Sequence, residues 1–198
     1  YWMEGLNDKP YAGNSTVDTK RHFCEKNLLF ESMPEDSTNI VFLGDSFIDN
    51  FYLSELYQNL KIKNRGVQGE YTSGVLDLIP VIVDGQPLEL FIYAGVNDVI
   101  SNVSKDETYD NYGKIIKLIR EITPETKIHM ISVLPIKENS PYCINCNDEI
   151  IALNKHIHKV CEENEVEFID LYNEFSQRNE IDDNYVTKDG LHLNAQGY

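Results

Sequence analysis

Short apolar, β-branched runs alternate along this chain with amphipathic stretches. Runs at residues 39–43 (NIVFL), 60–64 (LKIKN), 88–93 (LELFIY), 127–133 (KIHMISV) and 166–171 (VEFIDL) predict strands. The first, third and fourth are nearly continuous in hydrophobicity, as in strands covered on both faces. Between them, residues 110–122 put Ile115, Ile116, Leu118, Ile119 and Ile122 on one broad stripe, and Pro124 stops the helix soon afterwards. Residues 148–164 repeat the theme with Ile150, Ile151, Leu153, Ile157, Val160 and Cys161. A further helix is predicted over residues 17–33, closed by Pro34.

Strand and helix in strict alternation predict an α/β fold of three layers, α/β/α, built on a flavodoxin-like, doubly wound parallel sheet of about five strands. The 198 residues suffice for one compact domain with a large core. Within it, residues 1–38 read as an N-terminal extension whose helix packs on a main domain at residues 39–198. No internal repeat or low-complexity tract stands out.

Charge narrows the function. Seventeen Lys plus Arg against 33 Asp plus Glu give a formal net charge of −16. Such a surface repels phosphate backbones and anionic lipid, which argues against a nucleic-acid partner. The acids gather between Asp148 and Asp183. They read first as a solvated face, and second as a field that favours neutral or cationic substrates. No run approaches the roughly 18 apolar residues of a membrane span, and no signal peptide is visible. Four cysteines, Cys24, Cys143, Cys146 and Cys161, are too few for a disulfide scaffold. They leave the compartment open, with a secreted or periplasmic site favoured over the cytoplasm.

In open α/β sheets, ligands sit beyond the carboxyl ends of the strands, so the residues just after each strand carry the chemistry. There the chain places Gly44-Asp45-Ser46, then Asn64-Arg65-Gly66-Val67-Gln68-Gly69, then Gly95-Val96-Asn97-Asp98, and near its end Asp189-Gly190-Leu191-His192. A serine hydroxyl is a weak nucleophile until a base takes its proton, and the base needs an orienting partner. Ser46 stands at a strand end. His192 has an acid three residues before it, and that spacing in a helical turn puts Asp189 and His192 on one face. The tetrahedral intermediate of acyl transfer also needs donors aimed at its oxyanion. The backbone N–H groups of Ser46 and Gly69 and the Asn97 amide are the candidates.

These residues resemble the four sequence blocks of the SGNH, or GDSL-type, serine hydrolase superfamily. FLGDSF resembles the first block, NRGVQG the second, GVND the third and DGLHLN the last. The resemblance runs in order over most of the chain and implies a catalytic triad of Ser46, His192 and Asp189. It also implies an oxyanion hole of Ser46, Gly69 and Asn97, with no cofactor and no metal. Glu70 departs from the pattern, since many relatives carry Asp there. The GxSxG elbow of ordinary α/β-hydrolases is absent, because Ile48 stands where its second glycine would be.

The expected function is hydrolysis of small O-acyl esters, acetate above all, on a carbohydrate. FLGDS and NRG are similar to bacterial acetylhydrolase-like members and sugar O-acetylesterases. The alternatives are a lysophospholipase or thioesterase of the same family, and a non-catalytic glycan-binding relative, which would usually have lost Ser46 or His192. The oligomeric state is not legible. The Cys143-Ile144-Asn145-Cys146 motif reads as a local disulfide or two free thiols rather than a redox centre. His156 and His158 diverge on a helix and make no zinc site. Phe47, Phe51 and Tyr52 read as core, with one of them a possible lining of the acyl pocket. Asn14-Ser15-Thr16 and Asn102-Val103-Ser104 fit the N-glycosylation pattern.

Overall fold

The computed structural model describes residues 17–33 and 36–198. Pro34 and the Asn14-Ser15-Thr16 pattern lie outside the described residues.

After helix α1 (Val17–Ser32) come β1 (Ile40–Gly44), α2 (Ser46–Asp49), α3 (Leu53–Leu56), β2 (Ile62–Gly66), α4 (Thr72–Ile82) and β3 (Glu89–Tyr93). The chain continues through α5 (Val96–Ile100), α6 (Lys105–Ile122), β4 (Lys127–Ile131), α7 (Asn147–Glu163), β5 (Glu167–Ile169) and α8 (Tyr172–Phe175). A small antiparallel hairpin, β6 (Ser176–Gln177) and β7 (Glu180–Ile181), follows. The five long-range strands form one parallel sheet in the order β2-β1-β3-β4-β5, the doubly wound order expected from the alternation. Among the described residues no helix is long and apolar enough to cross a membrane.

Because side chains alternate along a strand, the sheet has two distinct faces. Val41, Leu43, Leu90, Ile92, Ile128 and Met130 point to the first and are completely or almost completely buried. Helices α4, α6 and α7, packed side by side, form that layer. The other face is aromatic: Phe42 stacks on Phe91 at 4.6 Å, and Phe91 on His129 at 4.1 Å. His129 lies between Glu89, 2.8 Å from its Nε2, and Glu167, 2.9 Å from its Nδ1, the second contact being close but poorly aligned for a hydrogen bond. This third layer is built of short pieces: α2, α3, α8 and the C-terminal turn. They enclose a cavity of about 290 Å³ against Phe42, Phe91, Ile131 and Ile169.

Several local readings need correction: the fourth strand ends at Ile131, two residues early, and helix α6 begins at Lys105, five residues before the predicted stretch. The second strand runs two residues further than its apolar pattern, because Arg65 pairs with Leu43 and Gly66 with Gly44. Arg65 is buried there with its guanidinium 5.2 Å from the Phe30 ring centroid, a cation–π contact that lets a charged residue continue the strand. The fifth strand is shorter, since the N–H groups of Leu171 and Tyr172 turn from the sheet to the Ser132 hydroxyl. Helix α4 has no counterpart among the predicted elements. Thr72, Val75, Leu78, Ile79 and Ile82 form its buried stripe, but Leu76, Pro80 and Val81 make the outer face apolar too, so little polarity marks the period, and Gly74 and Pro80 lower the helix propensity.

Candidate active site

The register of the sheet sets the site. Gly44 at the end of β1 lies opposite Gly66 on one side and Tyr93 on the other. The three strands therefore end level, and the segments that follow them emerge on one rim. Asp45 caps α2, its Oδ1 accepting from the Phe47 N–H at 2.9 Å. Such a cap typically contributes about 1 kcal/mol. It also makes the strand-to-helix turn abrupt, and Ser46, the first residue of that turn, projects at the rim.

Ser46 Oγ is 3.0 Å from His192 Nε2, and His192 Nδ1 is 2.7 Å from Asp189 Oδ2. The structure thus joins three residues separated by up to 146 positions in sequence into one hydrogen-bonded line. The means differ from the expected helical turn. Gly190, at φ +73°, breaks any helix between Asp189 and His192. Instead Asp189 Oδ1 accepts from Thr187 Oγ1 at 2.6 Å, from the Leu191 N–H at 2.9 Å and from the His192 N–H at 3.0 Å. The carboxylate folds its own loop around itself, as Asx turns do, and keeps Oδ2 for the imidazole. Burial would raise the Asp189 pKa. The hydrogen bonds from Thr187, His192 and the two backbone N–H groups outweigh it and hold the carboxyl well below the usual range. Asp189 therefore stays an anion beside the ring.

After β2, the turn Val67–Glu70 is closed by the Glu70 N–H donating to the Val67 carbonyl at 3.2 Å. Gly69 sits in it at φ +72°, a conformation that other residues adopt only with strain. The Asn97 Nδ2 donates to the Glu70 carbonyl at 2.8 Å, so the third block holds the second in place. Glu70 is buried, and its Oε1 accepts from the Tyr71 N–H at 3.0 Å. A Cβ at Gly74 would overlap that carboxylate, so Gly74 makes room for a side chain one methylene longer than Asp.

Two further acids stand behind the rim. Asp45 is fully buried, and its Oδ2 has no hydrogen-bond partner among the described residues. Burial pushes its pKa well above the ordinary carboxyl value, and nearby Asp98 and Glu70 push the same way. Asp98 is raised by burial as well, against the hydrogen bonds it accepts from Thr72 and Thr108.

The sequence reading missed the loop between β4 and α7. Ser140 Oγ donates to the Asp189 carbonyl at 3.0 Å, and the Lys137 N–H to the Gly190 carbonyl at 2.8 Å. Lys137 itself pairs with Asp183 at 2.7 Å and Glu180 at 3.4 Å. Cys143 and Cys146 form a disulfide in this loop, whereas Cys24 and Cys161 are free, and burial pushes the Cys161 thiol up to about 12. His156 and His158 do diverge, His156 stacking on Tyr109 and His158 meeting Phe168 edge-on. Phe47 is buried and Phe51 partly so, and both line the 290 Å³ cavity; Tyr52 is exposed.

This geometry agrees with what the chain is similar to. Residues 42–198 match the model of the GDSL-like Lipase/Acylhydrolase family. The chain belongs to that family. A Streptococcus pneumonia protein provisionally described as a platelet activating factor has the same architecture, with a TM-score of 0.82 and 26% identity over 91% of this chain and 89% of that one. An acetyl xylan esterase, AlAXEase, shares the fold with a TM-score of 0.64 and 19% identity over 81% of this chain and 93% of the esterase. In sequence, the N-acylneuraminate cytidylyltransferase of Streptococcus agalactiae is 27% identical over 157 residues, which is 79% of this chain. The GDSL chain spans only 35% of that relative's length.

Proposed function

We propose that this hydrolase removes small O-acyl groups, acetyl above all, from carbohydrate, with Ser46 as nucleophile, His192 as base and then acid, and Asp189 as the group that orients it. The observation that carries the reading is the unbroken line from the Asp189 carboxylate through His192 to Ser46 Oγ, at 2.7 Å and 3.0 Å. His192 Nε2 takes the Ser46 proton as Oγ bonds to the ester carbon. It then gives that proton to the alcohol oxygen as the carbon–oxygen bond breaks. Water repeats the cycle and releases the acid. In each half the oxyanion receives hydrogen bonds from the Ser46 and Gly69 N–H groups and from the Asn97 N–H that is not engaged with Glu70.

Support for a carbohydrate ester comes from the acetyl xylan esterase of the same fold and from the N-acylneuraminate enzymes whose names specify an acylated sugar. The Cys143–Cys146 disulfide supports a secreted or periplasmic site. A fluorophosphonate probe should label wild-type protein and not Ser46→Ala, and Ser46→Ala should lose nearly all esterase activity with little change in Tm. Labelling that persists in Ser46→Ala would remove Ser46 from the role. Acetate released from a panel of acetylated glycans tests the substrate class.

A second reading, lysophospholipase or thioesterase, is favoured by the apolar cavity lined in part by Phe47 and Leu193, the chain neighbours of Ser46 and His192. A chain-length series of ethyl esters separates the two, since a long-chain enzyme gains in kcat/KM as the acyl group lengthens and an acetylesterase loses.

A further inference from the structure

Two aromatic rings flank the His192 imidazole among the described residues. Phe47 is one, with centroids 5.8 Å apart, and it is 3% exposed. Tyr142 is the other, at 6.2 Å and nearly perpendicular to the imidazole, and it is 47% exposed. Phe47 belongs to the core. Tyr142 stands where His192 meets solvent, and its neighbours Pro141 and Ile144 are exposed too, Ile144 at 76%.

An exposed apolar tip costs solubility, and a flexible one would collapse onto the nearest surface. This one is held out. Asn147 on α7 bonds both backbone groups of Ile136, at 3.0 Å and 2.8 Å. Asn154 does the same for Val133, at 2.8 Å each way. Ser140 and Lys137 tie the loop to Asp189 and Gly190, and the Cys143–Cys146 disulfide closes it immediately after Tyr142. The loop that braces the acid of the relay therefore also fixes the position of the ring.

The chemistry of the step says what lies against that ring. His192 Nε2 returns its proton to the ester oxygen, which belongs to the alcohol half of the substrate, so the alcohol half must sit beside His192. The acyl half, bonded to Ser46 through its carbonyl carbon, extends the other way. We propose that Tyr142 is a stacking platform for the sugar ring of the alcohol half, so that the Pro141–Ile144 tip forms the leaving-group subsite. The proposal rests on the carbohydrate-ester reading above. A pyranose presents a face of C–H groups carrying slight positive charge, and the face of an aromatic ring is negative. Tyr offers that area with few rotatable bonds to freeze.

The test compares wild type with Tyr142→Ala, Tyr142→Leu, Tyr142→Phe and Tyr142→Trp on ethyl acetate, ethyl hexanoate and an acetylated methyl pyranoside. Stacking of this kind should make kcat/KM for the sugar ester fall about tenfold more than that for ethyl acetate in Tyr142→Ala and Tyr142→Leu, mainly through KM. Tyr142→Phe and Tyr142→Trp should keep the wild-type ratio, because the ring is retained. An unchanged ratio in both truncations overturns the proposal. So does loss of the ratio in Tyr142→Phe, which would assign the effect to the hydroxyl, or a selective loss on ethyl hexanoate, which would assign the tip to the acyl chain. Wild-type enzyme that cleaves ethyl acetate and no acetylated pyranoside overturns the carbohydrate reading itself, an outcome visible before any variant is made.

Discussion

Asn97 holds the backbone of Glu70: its Nδ2 donates to the Glu70 carbonyl at 2.8 Å, tying the loop after β3 to the loop after β2. One N–H of the amide is thereby committed. Asn97 is thus both a brace for the Gly69 turn and a candidate oxyanion donor. Asn97→Ala should lower kcat by roughly 10²–10³-fold with little change in KM. It should also lower Tm, since the Glu70 carbonyl loses its partner. Asn97→Asp should be at least as damaging, because a carboxylate repels both that carbonyl and the oxyanion. Steady-state kinetics and thermal melts on both variants check this; a folded Asn97→Ala enzyme with wild-type kcat would confine Asn97 to the bracing role.

Asp189 and His192 should separate in the same pair of measurements. His192 moves the proton, so His192→Ala should lose more kcat than Asp189→Ala. Asp189 also collects the hydroxyl of Thr187 and the N–H groups of Leu191 and His192, so Asp189→Ala should lose more Tm than His192→Ala. Its pKa is depressed by those bonds, so its contribution to stability is fully present above the ordinary carboxyl range. It is lost only as pH falls through the lowered folded value. Equal kcat losses would contradict the ranking.

Asp45 has the opposite sign. Burial raises its folded pKa, so between the unfolded and folded values the native state holds a proton that the unfolded chain has released. Stability therefore falls as pH rises through that window. Asp45→Asn keeps the acceptor for the Phe47 N–H and removes the titration. The Tm of Asp45→Asn minus that of wild type should grow as pH rises above the ordinary carboxyl range. A difference that stays flat would mean that Asp45 is ionised in the fold.

Gly74 and Glu70 form a size-matched pair. Gly74→Ala forces a Cβ onto the Glu70 carboxylate and should cost about 1–3 kcal/mol of stability. Adding Glu70→Asp shortens the acid and should recover most of the lost Tm. If the double variant is no more stable than Gly74→Ala alone, the cost lies in the helix rather than in this contact.

Ser46, Gly69 and Asn97 were legible as candidates because each follows an apolar run that had to be a strand, and Asp189 and His192 because an acid three residues before a histidine offers an orienting pair and DGLHLN resembles a family block. The strands were legible for the same reason, a one-dimensional pattern of burial. Helix α4 was not, because its outer face carries Leu76, Pro80 and Val81 and so offers little polar contrast to its buried stripe. The loop bearing Ser140, Tyr142 and the disulfide was not legible either, since its partners Asp189 and Gly190 lie about fifty positions away and loops carry no period.

The sequence by itself determined the layered α/β architecture and the chemical types gathered beyond the strand ends. These follow from short-range rules, alternation and spacing, that act wherever the chain goes. Only the tertiary structure decided how the groups are aimed. Asp189 holds His192 through its own folded loop and not through a helical turn, Asn97 ties its amide to the Glu70 carbonyl, and Gly74 admits the longer acid. Asn97 meets Glu70 across 27 positions, whereas the Asp189 and Gly74 contacts reach close neighbours in sequence and depend on a backbone path that the surrounding fold imposes. Such contacts depend on distances of a few tenths of an ångström in a packed interior, which no local pattern of residues encodes.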